Sequence, residues 1–195
     1  VRHGTHYCDI TGETPWVRDM IDAHHEAARA KGTRIVPLCG FDSIPADLGT
    51  WALVQHFQAT LGGSPRRVKG WYRLRGGLNG GTLASALNLN ATGEVRRLAR
   101  PFLLSPGHQP TPEEKAESRD PRQALRDPHW GWCSPFVMGA VNTRVVRRTS
   151  HLLAGGERAY RSGFTYQEYQ GSSGGRSRWA ATRDVMVLGG LLGLV

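Results

Sequence analysis

Two short apolar runs flanking a single amphipathic helix constrain the front of this chain more than any other feature. His6 to Ile10 is short, aromatic and β-branched, and it runs into the turn-like Thr11-Gly12-Glu13. Arg34 to Cys39 carries the strand-length run Ile35-Val36-Pro37-Leu38. Between them Thr14 reads as an N-cap with Pro15 at the first helical position. Trp16, Met20, Ile21, His24, Ala27 and Ala28 then share one helical face until Gly32 ends the turn. Strand, helix, strand predicts one βαβ crossover with parallel strands.

The second strand empties into Gly40-Phe41-Asp42-Ser43-Ile44-Pro45-Ala46-Asp47-Leu48-Gly49, and Trp51, Leu53, Val54 and Phe57 continue as a helix that stops at Gly62-Gly63. In doubly wound sheets ligands bind outside the carboxyl ends of the strands, so Asp42 and Ser43 fall where chemistry usually sits. The competing reading is that one of them only caps the helix.

Beyond this unit Arg67 to Leu74 reads as a strand. Gly76 to Thr82 then forms a glycine-rich loop opening a helix from Leu83 to Leu98. The loop matches neither G-x-x-x-x-G-K-[ST] nor G-x-G-x-x-G, and a tight connection with Thr82 as N-cap explains it better than a phosphate cradle. Ser105 to His129, rich in proline and charge, predicts a mobile surface loop or lid. Order returns at Trp130 to Trp132, then at Phe136-Val137-Met138 and Val145-Val146, and a further strand is expected across Gly163 to Tyr169, with a polar turn over Gly171 to Ser177. The closing run Val185 to Val195 is apolar but too short to cross a bilayer, which takes about 20 residues, so it reads as core or as membrane-contacting.

Charge bears on the choice of partner, because a net +9 and a pI near 10.2 raise nucleic acid as a candidate. The positive residues are scattered in small groups such as Arg66-Arg67 and Arg96-Arg97, with no long run, and lysine supplies only Lys31, Lys69 and Lys115. That pattern argues against a phosphate footprint. Cys8, Cys39 and Cys133 are odd in number and far apart, which argues against a disulfide framework or a zinc site and for a reducing compartment. His24 and His25 diverge by about 100° around a helix and so make a poor metal pair. The opening Val1-Arg2-His3-Gly4 has no start methionine or signal-like segment, so the reading expects the natural N-terminus to lie upstream.

His6-Tyr7-Cys8-Asp9-Ile10-Thr11-Gly12-Glu13, followed after one helix by Cys39 to Gly49, resembles the saccharopine dehydrogenase-like oxidoreductases and most of all their enoyl reductase branch. Gly80-Gly81-Thr82 with Ser85, Pro101 to Leu104, Pro135-Phe136, Asn142 with Val145-Val146-Arg147, and Phe164 to Glu168 fit the same pattern. Arg147-Arg148-Thr149-Ser150 departs from it, since the family pattern has a single arginine directly before the serine.

The resemblance implies an α/β fold: residues 1–62 form the C-terminal part of a Rossmann-type nucleotide-binding domain, and residues 63–195 an α+β domain with a mixed sheet. The family's first strand and its glycine-rich phosphate loop would precede Val1, and further segments would follow Val195. The implied chemistry is hydride transfer from NAD or, by preference, NADP to an enoyl or lipid-like substrate. Asp42 and Ser43 are the catalytic candidates, and Asp9, Gly12, Glu13, Gly40 and Phe41 the cofactor-binding ones. For Asp9 and Glu13 the competing reading is an ordinary strand-end or helix N-terminal carboxylate. No metal or nucleic-acid partner is expected. A homodimer, a cytoplasmic location and peripheral membrane contact are compatible with this picture. The alternative is a lipid-associated scaffold that keeps the fold without the activity.

Overall fold

A computed structural model describes residues 1–73, 94–171 and 177–192. The expected glycine-rich loop, most of the helix that it opens and most of the polar turn after Gly171 lie outside the described residues. The front of the chain is the crossover read from the sequence: β1 (Tyr7–Cys8), α1 (Thr14–Ala30) and β2 (Ile35–Val36), with Tyr7 paired to Ile35 and Cys8 to Val36 in parallel. The ladder is shorter than the apolar run, for two local reasons. Pro37 has no N–H to donate, and Leu38 turns the chain aside at φ 64°, a conformation that costs a leucine of order 1–3 kcal/mol.

The start of α1 differs from expectation. Glu13 occupies the N-cap position and Thr14 is the first helical residue, its Oγ1 buried without a hydrogen-bond partner among the described residues. The apolar face is split as well. Val17, with Ile21 beside it, packs against Leu38, Leu104 and Val141, while Trp16 stays 41% exposed. Trp16, Met20 and His24 instead line a cavity of about 1030 Å³, which Ile35, Val145 and Leu152 help to wall.

After α2 (Ile44–Leu61), which ends on the left-handed Gly62, the chain builds a mixed four-stranded sheet. Its strands are β3 (Arg67–Tyr72), β4 (Leu125–Asp127), β5 (Gly131–Pro135) and β6 (Thr165–Gly171), in the order β3-β6-β5-β4. β3 runs parallel to β6, and the other two pairings are antiparallel. Among the described residues, two short helices, α3 (Val95–Leu98) and α4 (Pro112–Glu117), lie between β3 and β4. The stretch expected as a mobile loop therefore carries α4 and β4. Thr111 caps α4 by accepting from the Glu114 N–H at 3.1 Å, and Arg66 ties Glu117 to the start of the sheet at 2.9 Å. Both elements are short and polar, which is why no local pattern marks them.

α5 (Gly139–Leu152) is the hub. One side joins Val146 to Ala46 and Val54 of α2 and to Tyr166 of β6. The other side carries Val141 to the α1 cluster. Its arginines hold the segment after α3: Arg144 donates to the Leu98 and Arg100 carbonyls and pairs with Asp120, Arg147 donates to Pro101 O, and Arg148 to Leu104 O. The doubled arginine that departs from the family pattern is thus occupied in packing, and Thr149 beside it donates to Asp47 at 2.9 Å. α6 (Arg178–Leu192) packs on β5 with Ala181 fully buried, and carries the start of the apolar terminal run. Among the described residues no helix is long and apolar enough to cross a membrane.

Candidate active-site rim

The parallel pairing of β1 and β2 sends both strands out at the same edge, and every sequence-predicted site residue gathers there. Asp9 joins the two ends: its backbone N–H donates to Val36 O, and its carbonyl accepts from the Cys39 N–H at 2.8 Å. Its carboxylate accepts from the backbone N–H of Thr11 at 3.0 Å and of Leu38 at 3.2 Å, and from the Tyr7 hydroxyl at 2.8 Å. That last bond holds the Tyr7 phenol above its ordinary pKa. Asp9 is therefore engaged in fastening the rim. The Gly12 carbonyl accepts from the Thr14 N–H, and Glu13 donates its backbone N–H to Thr11 Oγ1 at 3.2 Å. Cys39, whose thiol burial pushes up, donates to Val36 O and is no ready thiolate.

The bend that follows is tight. Both Ser43 N–H and Ile44 N–H donate to the Gly40 carbonyl, at 3.1 and 3.0 Å. A Cβ on Gly40 would run into the Asp42 carboxylate and lie 3.5 Å from the Ile10 side chain, so the position is closed to larger residues as the bend stands. Phe41 is 89% exposed and Ile10 is 77% exposed. Two large apolar groups thus stand at this edge beside the exposed Asp42.

Ser43 points the other way. It sits at the N-cap of α2, yet its hydroxyl makes no capping bond, and its side chain is 2% exposed. Instead Oγ donates to Asn142 Oδ1 of α5 at 3.0 Å, and Asn142 Nδ2 donates to Glu168 Oε2 of β6 at 3.0 Å. Two phenols donate to the other carboxyl oxygen, Tyr166 at 2.7 Å and Tyr72 at 3.1 Å. Glu168 is 1% exposed, and burial raises its pKa against the pull of these three donors. Burial followed by the Glu168 charge pushes Tyr72 up to about 12 and Tyr166 higher still. A continuous polar chain therefore runs from the rim bend through α5 into the mixed sheet.

The comparisons with known proteins converge on one activity name. The chain is 37% identical over 175 residues to a provisionally named trans-acting enoyl reductase of Mycobacterium tuberculosis, a match covering 85% of this chain and 41% of that protein. It is 32% identical to the trans-acting enoyl reductase of Mycobacterium leprae, over 92% of this chain and 44% of the relative. The corresponding protein of Mycobacterium bovis is 33% identical, over 98% and 47%. The chain thus spans less than half the length of the curated relatives that it matches. No family model matches it. No solved structure matches it either.

A dinucleotide asks two things of such a rim, a cradle for its pyrophosphate and a surface for its ring. The described residues do not fit the first. α1 opens on Glu13 and α2 on Asp42 and Asp47, so both helix starts at the rim carry carboxylates where a phosphate would need donors. The exposed Phe41 and Ile10 suit only a flat or apolar group. No three His, Cys, Asp or Glu side chains among the described residues are placed to hold a metal.

Asn142, Glu168, Tyr166 and Tyr72 were not among the sequence-predicted site residues. The signal was present in the strand period, since Phe164, Tyr166 and Glu168 alternate onto one face and put a carboxylate at a core position.

Proposed function

We propose that this chain is part of an NAD(P)-dependent oxidoreductase of the enoyl reductase type, within the saccharopine dehydrogenase-like family. The observation that carries the reading is the 32–37% identity, over 85–98% of the chain, to proteins named trans-acting enoyl reductase. The reaction moves a hydride from the nicotinamide to an activated carbon–carbon double bond, and a proton completes the product. When bound, the cofactor supplies the hydride.

The part of this chain is positioning. Asp9 and the Gly40 turn hold the two strand ends together, and Phe41 and Ile10 offer apolar surface at the edge where ligands of such sheets bind. Asp42 is the exposed carboxyl at the rim and the candidate for polar contact with substrate or cofactor. The enoyl thioester or lipid-like character of the substrate follows the names of the relatives and the apolar side chains at the rim. The pyrophosphate is held by none of the described residues, so the proposal assigns it to other parts of the protein.

The test is turnover. A polypeptide of the relatives' length should oxidise NADPH or NADH in the presence of an enoyl thioester, with one saturated product per nucleotide consumed. Binding of neither nucleotide, together with no product from enoyl thioesters, would leave the scaffold reading in its place.

A further inference from the structure

The buried chain from Ser43 to Glu168 has a direction, and the direction fixes what Ser43 can do. Glu168 Oε1 already accepts from two phenols, and Oε2 faces Asn142. With two phenols donating to it, Glu168 in its ionised form can only accept, which sets nitrogen on the side of the Asn142 amide that faces it. The amide oxygen then faces Ser43 and must accept, so the Ser43 hydroxyl must donate to it. The proton of Ser43 is committed to α5 and is not available to a ligand.

We propose that Glu168 and Asn142 are positioning residues for the rim: the carboxyl orients the amide, the amide anchors Ser43, and the anchored bend holds Phe41 and Asp42 out beyond the ends of β1 and β2. Ser43 follows the exposed Phe41 and Asp42 at the start of α2, and among the described residues its bond to Asn142 is the side-chain tie from the bend toward the sheet. A small residue beside the chain fits this role. A Cβ on Gly70 would meet the Tyr166 hydroxyl at 2.7 Å. The groups facing Glu168 are Tyr72 from β3, Tyr166 from β6 and Asn142 from α5. The nearby guanidinium of Arg147 is taken by the Pro101 and Tyr166 carbonyls. The consequence for ligand binding rests on the reading of the rim as the cofactor edge; the polarity of the chain does not.

Reversing the polarity tests the proposal. Asn142→Asp sets two carboxyl groups against each other. At about pH 8 the unfolding midpoint should fall by roughly 10 °C, and amide exchange at Gly40 to Ile44 should quicken about tenfold or more. Both effects should fade on acidification, as the facing pair comes to share a proton. The double variant Asn142→Asp, Glu168→Gln restores a complete set of bonds, with only the bond between positions 142 and 168 reversed in direction. The carboxamide introduced in β6 would still accept from both phenols through its oxygen, and its nitrogen would donate to the carboxylate introduced in α5, which accepts from Ser43. This variant should recover both the midpoint and slow exchange at the bend at about pH 8.

Ser43→Ala, which folds more readily, should quicken exchange at the bend while leaving the rest of α2 unchanged. A double variant no better than Asn142→Asp, or a bend whose exchange ignores all three changes, overturns the proposal. NADPH titration separates the two readings: failure of an unsubstituted polypeptide of the relatives' length to bind nucleotide counts against the proposed function, whereas exchange at the bend decides the positioning role in either case.

Discussion

Gly40 and Glu168 show how far single residues set the site. The Gly40 carbonyl receives both N–H groups of the bend, and the space beside its Cα is taken by Asp42 and Ile10. Gly40→Ala should therefore cost about 1–3 kcal/mol in denaturant unfolding and displace Asp42 from its place at the rim. An unchanged midpoint would show that the carboxylate swings aside freely. Glu168 makes a prediction in pH. Burial raises its folded-state pKa above the unfolded value, so the folded protein holds the proton longer than the unfolded chain. Stability therefore falls as pH rises from the unfolded carboxylate pKa through the raised folded one. Glu168→Gln should flatten that decline, which thermal unfolding across the acidic to neutral range would register. An equally steep profile in the variant would place the titration elsewhere.

At the scale of elements, α5 decides more than the sequence reading could assign to it. Arg144 is fully buried, and its guanidinium donates to the carbonyls of Leu98, at the end of α3, and of Arg100, and pairs with Asp120 at 2.6 Å. Arg144→Met should cost about 3–5 kcal/mol, since it removes a donor from each of those carbonyls and the cation from Asp120, and urea unfolding would measure it. Elements with strong local signals were legible. The β1-α1-β2 crossover came from strand length and helical period, α2 from its apolar residues and closing glycines, and β6 from its aromatic alternation. The predicted rim residues share one edge because parallel strands leave on the same side. What was not legible depended on partners distant in sequence. The Ser43–Asn142 bond spans 99 positions, so no local pattern could turn Ser43 away from capping. α4 and β4 draw support from Arg66 and from pairing with β5, neither of which their own composition announces. The N-cap of α1 slipped by one residue because Thr14 and Glu13 are both plausible starts before Pro15.

Among the described residues, α5 and a buried polar chain join the crossover unit to the mixed sheet. The parallel pair is short, and a large apolar cavity lies between it, α1 and α5. Parallel strands are ordinarily covered on both faces, and this cavity leaves part of the pair's surface uncovered among the described residues. The curated relatives are more than twice as long as the segments that match this chain, and their activity is a property of that full length. The claim most in need of test is that the rim serves hydride transfer. The direct measurement follows deuterium from NADPH deuterated at the nicotinamide into an enoyl thioester, in a polypeptide of the relatives' length, beside its Asp42→Asn and Ser43→Ala variants. The account predicts one deuterium in the saturated product, and slower labelling in both variants with their unfolding midpoints still well above the assay temperature. A product free of label, or labelling at the same rate in all three proteins, would contradict it.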